Sequence, residues 1–295
     1  MKYYLQVFPI GEPDNEPVWR IENNAAFRID VIEHDPAPFL INPSDDTCAG
    51  MQQHFPGSRF FELSLKPGQY YPRMSRPSSS HDGASPGRNP DKSEAILHSR
   101  ATSTGQLHAL IGQLEQICRV VHPTGSNLNA FGHEIRNVLI LACTELEAQW
   151  KGILKANGKT GKSTSDYSKL SLPMKLGEYR VELSHYPWID PILPFENWVE
   201  SKTPSKDLEW YAAYNNVKHD RETKFSDATL LNAIRAITGC FVILCAQYGW
   251  DFALRGDEAL RSFFRLTKAP QWEPGEIYVA PFGGAYEPVP YPFPS

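Results

Sequence analysis

The chain has 295 residues, a formal net charge of -5 and a sequence pI near 6.0. That balance excludes a protein coated in positive charge for nucleic acid and leaves room only for a local basic site. Apolar residues make up 41% and aromatic residues 12%, enough for a packed core in one large domain or two modest ones.

The N-terminal run MKYYLQVFPIGEPDNEP lacks the apolar core and cleavage site of a secretory signal. Residues 1–71 read as a small β-rich module, because KYYLQVFPI, AFRIDVIEH and RFFELSLKP are aromatic and β-branched with partial alternation. Residues 72–94 collapse to Ser, Pro and Gly, a composition too poor in apolar surface to offset ordering entropy, and read as a disordered linker. Helical periodicity then governs 95–267. Leu107, Leu110, Ile111, Leu114, Ile117 and Cys118 mark a helix ending near Pro123. A second, capped by Ser126 or Asn127, runs through Phe131, Ile135, Val138, Leu139, Ala142, Leu146 and Trp150 to a stop at Asn157-Gly158.

An extended insertion occupies 158–203. Its opening, NGKTGKSTSDYSK, lacks the spacing and preceding strand of a nucleotide-binding loop and reads as a solvated loop. Prolines forbid a continuous helix through EYRVELSHYPWIDPILPFENW. Thr203 or Ser205 opens a third helix and Ser226 or Asp227 a fourth, with Leu230, Leu231, Ile234, Ile237, Phe241, Leu244 and Cys245 inward; Leu260, Phe263 and Phe264 suggest a short fifth. The apolar stretch Ile237–Ala246 is shorter than the roughly 20 residues of a bilayer span, so no membrane role is expected. Residues 268–295 form an extended Pro- and aromatic-rich tail. Its Tyr278, Phe282, Tyr286, Tyr291 and Phe293 either grip a protein partner or pack back on the chain. Five cysteines without a C-x-x-C pair fit a reducing compartment, so a cytoplasmic location is expected.

The most informative stretch is WYAAYNNVKHDR, Trp210 to Arg221. Tyr211, Asn215 and His219 recur at four-residue spacing, which stacks them on one helical face. Lys218, Arg221 and Lys224 add positive charge alongside. Two readings stand: a phosphate grip, or a polar seam between helices.

A long helix carrying EIR and TELE, an extended segment ending in PF..W, a helix bearing YN-x-x-KH-x-R and an apolar closing helix follow in order. This arrangement, over roughly 104–250, resembles HEPN (higher eukaryotes and prokaryotes nucleotide-binding) domains, specifically bacterial HEPN-like members. The resemblance implies a mainly α fold, an antiparallel helical bundle that dimerises face to face. It also implies a metal-independent endoribonuclease, or a degenerate relative, of bacterial stress and phage defence. Such enzymes cleave through the RNA 2′-hydroxyl with an arginine, a polar residue and a histidine. Carried over, Asn215 matches the polar position and His219 the histidine; Tyr214 stands where the arginine belongs. The fixed charge on the developing oxyanion is then missing, and Arg221 or Arg136 would offset it. The alternative is a non-catalytic bundle that binds nucleotide, RNA or protein as an adaptor or dimerisation module.

Glu145 sits beside the apolar stripe of the second helix, where a carboxylate needs a partner; Lys218, Arg221 and His219 are the expected ones. With Tyr214, Lys218 and Lys224 it completes the candidate binding residues. Arg28 with His34, Arg76 with His81 and Arg180 with His185 also satisfy the loose arginine-to-histidine spacing, but lie in a strand, the linker and the insertion. Of these, Arg180 and His185 could fold over the candidate helix. Trp188, Trp198 and Trp210 read as anchors docking the insertion onto the bundle. There is no H-E-x-x-H, zinc-spaced Cys/His cluster or G-x-S-x-G elbow, so neither metal nor cofactor is expected.

Overall fold

The computed structural model describes residues 1–8, 16–30, 38–42, 46–79, 85–198, 202–249, 251 and 257–294. The chain is mainly α with small sheets and forms two compact units that interleave in sequence. One comprises residues 1–71, 76–90 and 272–289; the other comprises 72–75, 91–271 and 290–295.

The first unit is built on a five-stranded sheet. Strands β1 (Lys2–Val7), β2 (Val18–Glu22), β3 (Ala25–Arg28), β4 (Phe39–Leu40) and β5 (Arg59–Glu62) lie in the order β4-β3-β2-β1-β5. Asn23 and Asn24, at φ 51° and 61°, close the β2–β3 hairpin in the left-handed region that asparagine tolerates and a tight hairpin requires. Successive residues of β1 point to opposite faces. Tyr4 therefore packs with Trp19, Ala26, Ile41, Met51 and Phe60, while Leu5 packs with Val18, Leu63 and Val279. Helix α1 (Thr47–His54), which the sequence patterning did not signal, starts at Asp46, whose carboxylate accepts from the amides of Cys48 and Ala49.

The stretch 72–94, expected to be a disordered linker, is a correction. It carries strands β7 (Arg76–Ser79) and β8 (Ser85–Arg88), paired antiparallel. Their order comes from partners distant in sequence. The tail strand β11 (Tyr278–Val279) pairs parallel with β7. The buried Arg76 guanidinium lies 4.9 Å and 4.8 Å from the Tyr71 and Trp272 rings and donates to the Glu276 carbonyl. A second tail strand, β12 (Glu287–Pro288), joins β6 (Gln69–Tyr70). The tail is thus largely extended, as its composition suggested, and two short stretches of it pair into sheets.

Four long helices make the second unit: α2 (Glu94–Cys118), α3 (His133–Ala156), α6 (Glu209–His219) and α8 (Leu230–Tyr248). Ser93 caps α2 by accepting from Ile96 N–H. Several caps differ from expectation. Ser126 and Asn127 fall in a 3-10 turn, Gly125–Asn129, and α3 starts after Gly132. Thr229, not Ser226 or Asp227, caps α8 by accepting from Asn232 N–H. The insertion is less irregular than its prolines suggested. It contains α4 (Thr164–Tyr167), two 3-10 turns and strand β9 (Arg180–Leu183). Ahead of α6 comes a single turn, α5 (Pro204–Asp207); after it comes α7 (Arg221–Lys224). Phe264 ends helix α9 (Glu258–Phe263) and begins strand β10 (Phe264–Lys268), which pairs antiparallel with β9.

Helix α8 is 19 residues long and, by length and composition alone, apolar enough to cross a membrane, longer than the apolar run read from sequence. Its side chains from Ala236 to Tyr248 are nevertheless all buried, and it packs against α2, α3 and α6. A helix apolar all round marks the middle of a bundle as readily as a bilayer span. Its cysteines are buried, and burial pushes the Cys240 and Cys245 thiols up, so they act as small hydrophobes.

Candidate functional site

Helix α6 buries Trp210, Tyr211, Ala213, Tyr214 and Val217, a three- and four-residue stripe that turns one face to α8 and α3. The PF..W segment fixes its start. Trp210 Nε1 donates to the Pro194 carbonyl at 2.8 Å, and Trp198 Nε1 to that of Pro204 at 3.0 Å. Phe195 and Trp198 stack at 5.5 Å. Trp198 and Trp210 are therefore buried anchors; Trp188 is half-exposed and donates to the Pro123 carbonyl.

The inward residues set the register against α3. The Tyr211 hydroxyl donates to Glu147 Oε1 at 2.9 Å, and burial pushes its phenol well above the ordinary value. One turn on, Tyr214 interacts with Thr144, and Lys218 feels Cys143. Contacts that descend α3 as α6 ascends make the two helices antiparallel. Tyr214 is buried, and its hydroxyl accepts from Lys218 Nζ at 2.8 Å. That bond raises the lysine's pKa, and the ammonium lies 4.9 Å from the ring. The residue standing in the arginine position is thus part of the core and committed to its neighbour.

Helix α6 stops at Asp220, whose carboxylate turns forward to accept from Thr223 N–H and hydroxyl and so starts α7. The corner leaves His219 exposed as the last residue of α6 and Arg221 exposed as the first of α7. Lys218 and Lys224 are exposed on either side. Among the described residues neither His219 nor the half-buried Asn215 has a hydrogen-bond or ion-pair partner. Nearby, Phe225 packs on His133 at 5.0 Å and on Phe131 at 5.9 Å. Arg136, one turn into α3, is half-buried, with its Nε buried and unpaired.

Glu145 is a correction. Its carboxylate accepts from Gln149 Nε2 at 2.7 Å, not from Lys218, Arg221 or His219. The α3 carboxylate that faces α6 is Glu147, four residues before Lys151 and 3.6 Å from its Nζ. Glu145 instead ends a polar chain through the bundle. Arg73 Nε donates to Gln247 Oε1 at 2.8 Å, and Gln247 Nε2 donates to Gln149 Oε1 at 2.7 Å. Burial lowers the Arg73 pKa, opposed by Tyr248 and Glu145. Sequence reasoning missed this chain. Its signal was two glutamines, Gln149 and Gln247, at core positions of otherwise apolar stripes.

The other arginine–histidine spacings do not assemble. His34 and His81 lie outside the described residues, and His185 lies 3.5 Å from Glu115 and against the Phe263 ring. No cluster of three metal-ligating side chains occurs among the described residues. A cavity of about 360 Å³ opens at the other end of α6, lined by Asp190, Glu196, Asp207, Glu209, Trp210 and Arg235 among others. Arg235 is ion-paired to Glu209, so the remaining lining charge is acidic and repels phosphate. The cavity therefore disfavours a phosphate, whereas the C-terminal end of α6 presents exposed cations to one. No known family model matches the chain, and neither does any curated protein or solved structure.

Proposed function

We propose that the helical unit is a HEPN-like bundle that binds RNA at the C-terminal end of α6 and cleaves it without metal. One observation carries the reading: an exposed His219 free of any carboxylate among the described residues, with Lys218, Arg221 and Lys224 within five residues of it. Histidine changes protonation near neutral pH and suits both halves of the reaction. As base it takes the 2′-hydroxyl proton; O2′ attacks phosphorus, and the bond to the 5′-oxygen breaks as that oxygen is protonated. The products are a 2′,3′-cyclic phosphate and a 5′-hydroxyl. Asn215, one turn back, orients the imidazole or a phosphate oxygen, and Arg221 or Arg136 offsets the phosphorane charge that Tyr214 cannot. A second bundle meeting the first, and a role in bacterial stress or phage defence, belong to the same resemblance.

A second reading is binding of RNA or nucleotide without cleavage. It is favoured by Tyr214, whose neutral, buried hydroxyl already accepts from Lys218. The test is cleavage of a labelled RNA in EDTA by the wild type and His219→Ala. Cleavage that survives EDTA and disappears in the variant supports the enzyme. Binding with no cleavage by either protein selects the second reading, and equal cleavage by both removes His219 from the chemistry.

A further inference from the structure

Between 151 and 175 the sequence holds six lysines and one aspartate, in a chain whose net charge is -5. Residues 158–170, read from sequence as a solvated loop, are largely exposed but held by hydrogen bonds. Helix α3 closes with Lys159 N–H donating to the Leu154 carbonyl at 2.9 Å and Gly158 N–H to that of Lys155 at 3.1 Å, with Gly158 at φ 71°. Gly161 lies flat on the helix, since a Cβ there would sit 2.7 Å from Leu154 Cδ1 and 2.8 Å from Tyr167 Cε1. Asp166 then accepts from the amides of Lys162 and Ser163 at 2.9 Å and 3.1 Å. The backbone amides that a phosphate loop would offer are therefore already occupied by a carboxylate. What the turn offers is ammonium groups.

Three of the six lysines are engaged. Lys151 lies 3.6 Å from Glu147, Lys169 donates to the Pro294 carbonyl, and Lys175 donates to that of Gln271. Lys155, Lys159 and Lys162 are exposed and have no partner among the described residues. We infer that these three lysines form a platform for the phosphate backbone of single-stranded RNA. Point charges on flexible stems suit phosphates in series rather than base edges, and the backbone that carries two of them is fixed by Gly161 and Asp166. The choice of RNA rests on the function proposed above; the platform does not. Because α3 and α6 are antiparallel, Lys155 lies roughly 18 Å along α3 from the level of Lys218, at 1.5 Å per residue. A strand bound at His219 therefore reaches the platform only if it is several nucleotides long.

The test measures binding of a labelled 20-nucleotide single-stranded RNA, and of inorganic polyphosphate, by the full chain over a salt series. The variants are Lys155→Glu/Lys159→Glu/Lys162→Glu, its Gln counterpart, and a charge-matched control, Lys66→Glu/Lys92→Glu/Lys268→Glu. The expected result is a loss of about tenfold or more in the Glu platform variant at low salt. The Gln variant should show a slope of log affinity against log salt shallower by about two, at roughly 0.7 per phosphate contact on a single strand. The control should stay near wild type. Platform variants that bind within twofold of wild type overturn the inference, as does a wild type that binds polyphosphate but not RNA, or neither. His219→Ala separates the two proposals: RNA bound through the lysines but cut by neither protein removes the nuclease and leaves the platform.

Discussion

Gly152→Ala is a test in which two physical effects have opposite signs. Gly152 sits inside α3, where alanine should stabilise the helix by about 1 kcal/mol. But a Cβ there would lie 2.1 Å from Arg73 Nη1 and 3.0 Å from its Cζ. The guanidinium must move, and it is largely buried and bonded through Nε to Gln247. Losing a hydrogen bond to a charged group costs about 1.5–3 kcal/mol. The net expectation is a destabilisation of about 0.5–2 kcal/mol, read as a lower urea midpoint with unchanged slope. In an Arg73→Ala background the obstruction is gone, and the same substitution should stabilise by about 1 kcal/mol. The coupling from the double-mutant cycle is then about 1.5–3 kcal/mol. A Gly152→Ala protein more stable than wild type, or a coupling near zero, would refute the reasoning and show that Arg73 moves aside freely.

Other expectations concern caps and charges. Asp166→Asn should release the Lys162 and Ser163 amides, seen as faster hydrogen exchange confined to that turn. Those amides hold the Asp166 carboxyl below its usual value. Its contribution is therefore present above the unfolded carboxylate pKa and lost as pH falls through the lower folded value, so exchange protection there should fade only in acid. Thr229→Ala removes the side chain that accepts from Asn232 N–H and should lower stability by about 1 kcal/mol in urea. Arg221→Gln/Lys224→Gln should weaken RNA binding severalfold and leave the urea midpoint unmoved.

What the sequence made legible was local. The apolar stripes of α2, α3 and α8 are periodic, so the order of helices and the anchoring of Trp210 were readable; Tyr211, stacked by spacing with Asn215 and His219, and Tyr214, read as a binding residue, are instead core, while His219 is exposed. Features set by partners far along the chain were not. Arg76 is ordered by Trp272 and Glu276, and the parallel pairing of β7 with Tyr278–Val279 joins residues about 200 positions apart; Ser/Pro composition carries no trace of either. Glu145 shows the same limit at the site. Spacing placed it near an apolar stripe, but Gln149, four residues on, satisfies it, while Glu147 two residues away faces α6.

The cations at the end of α6 admit a structural explanation that must be separated from the functional one. An acidic group, Glu209, opens the helix and a cationic one, Lys218, lies in its last turn, although Lys206 sits beside Asp207 just ahead of the helix. A helix dipole favours that arrangement by about 0.3–1 kcal/mol per charge, within the first and last turns only. This accounts for Lys218, which the Tyr214 hydroxyl also holds. It does not reach Arg221 and Lys224, which lie beyond the break at Asp220 in a separate single turn and are exposed. Exposed cations contribute little to stability, and the attraction between Lys224 and Asp220 is one such surface interaction. If removing these two lowers stability as much as Lys218→Gln does, the cluster is a device for ending a helix and needs no ligand. If stability holds while RNA affinity falls, their position is explained by the phosphates they face.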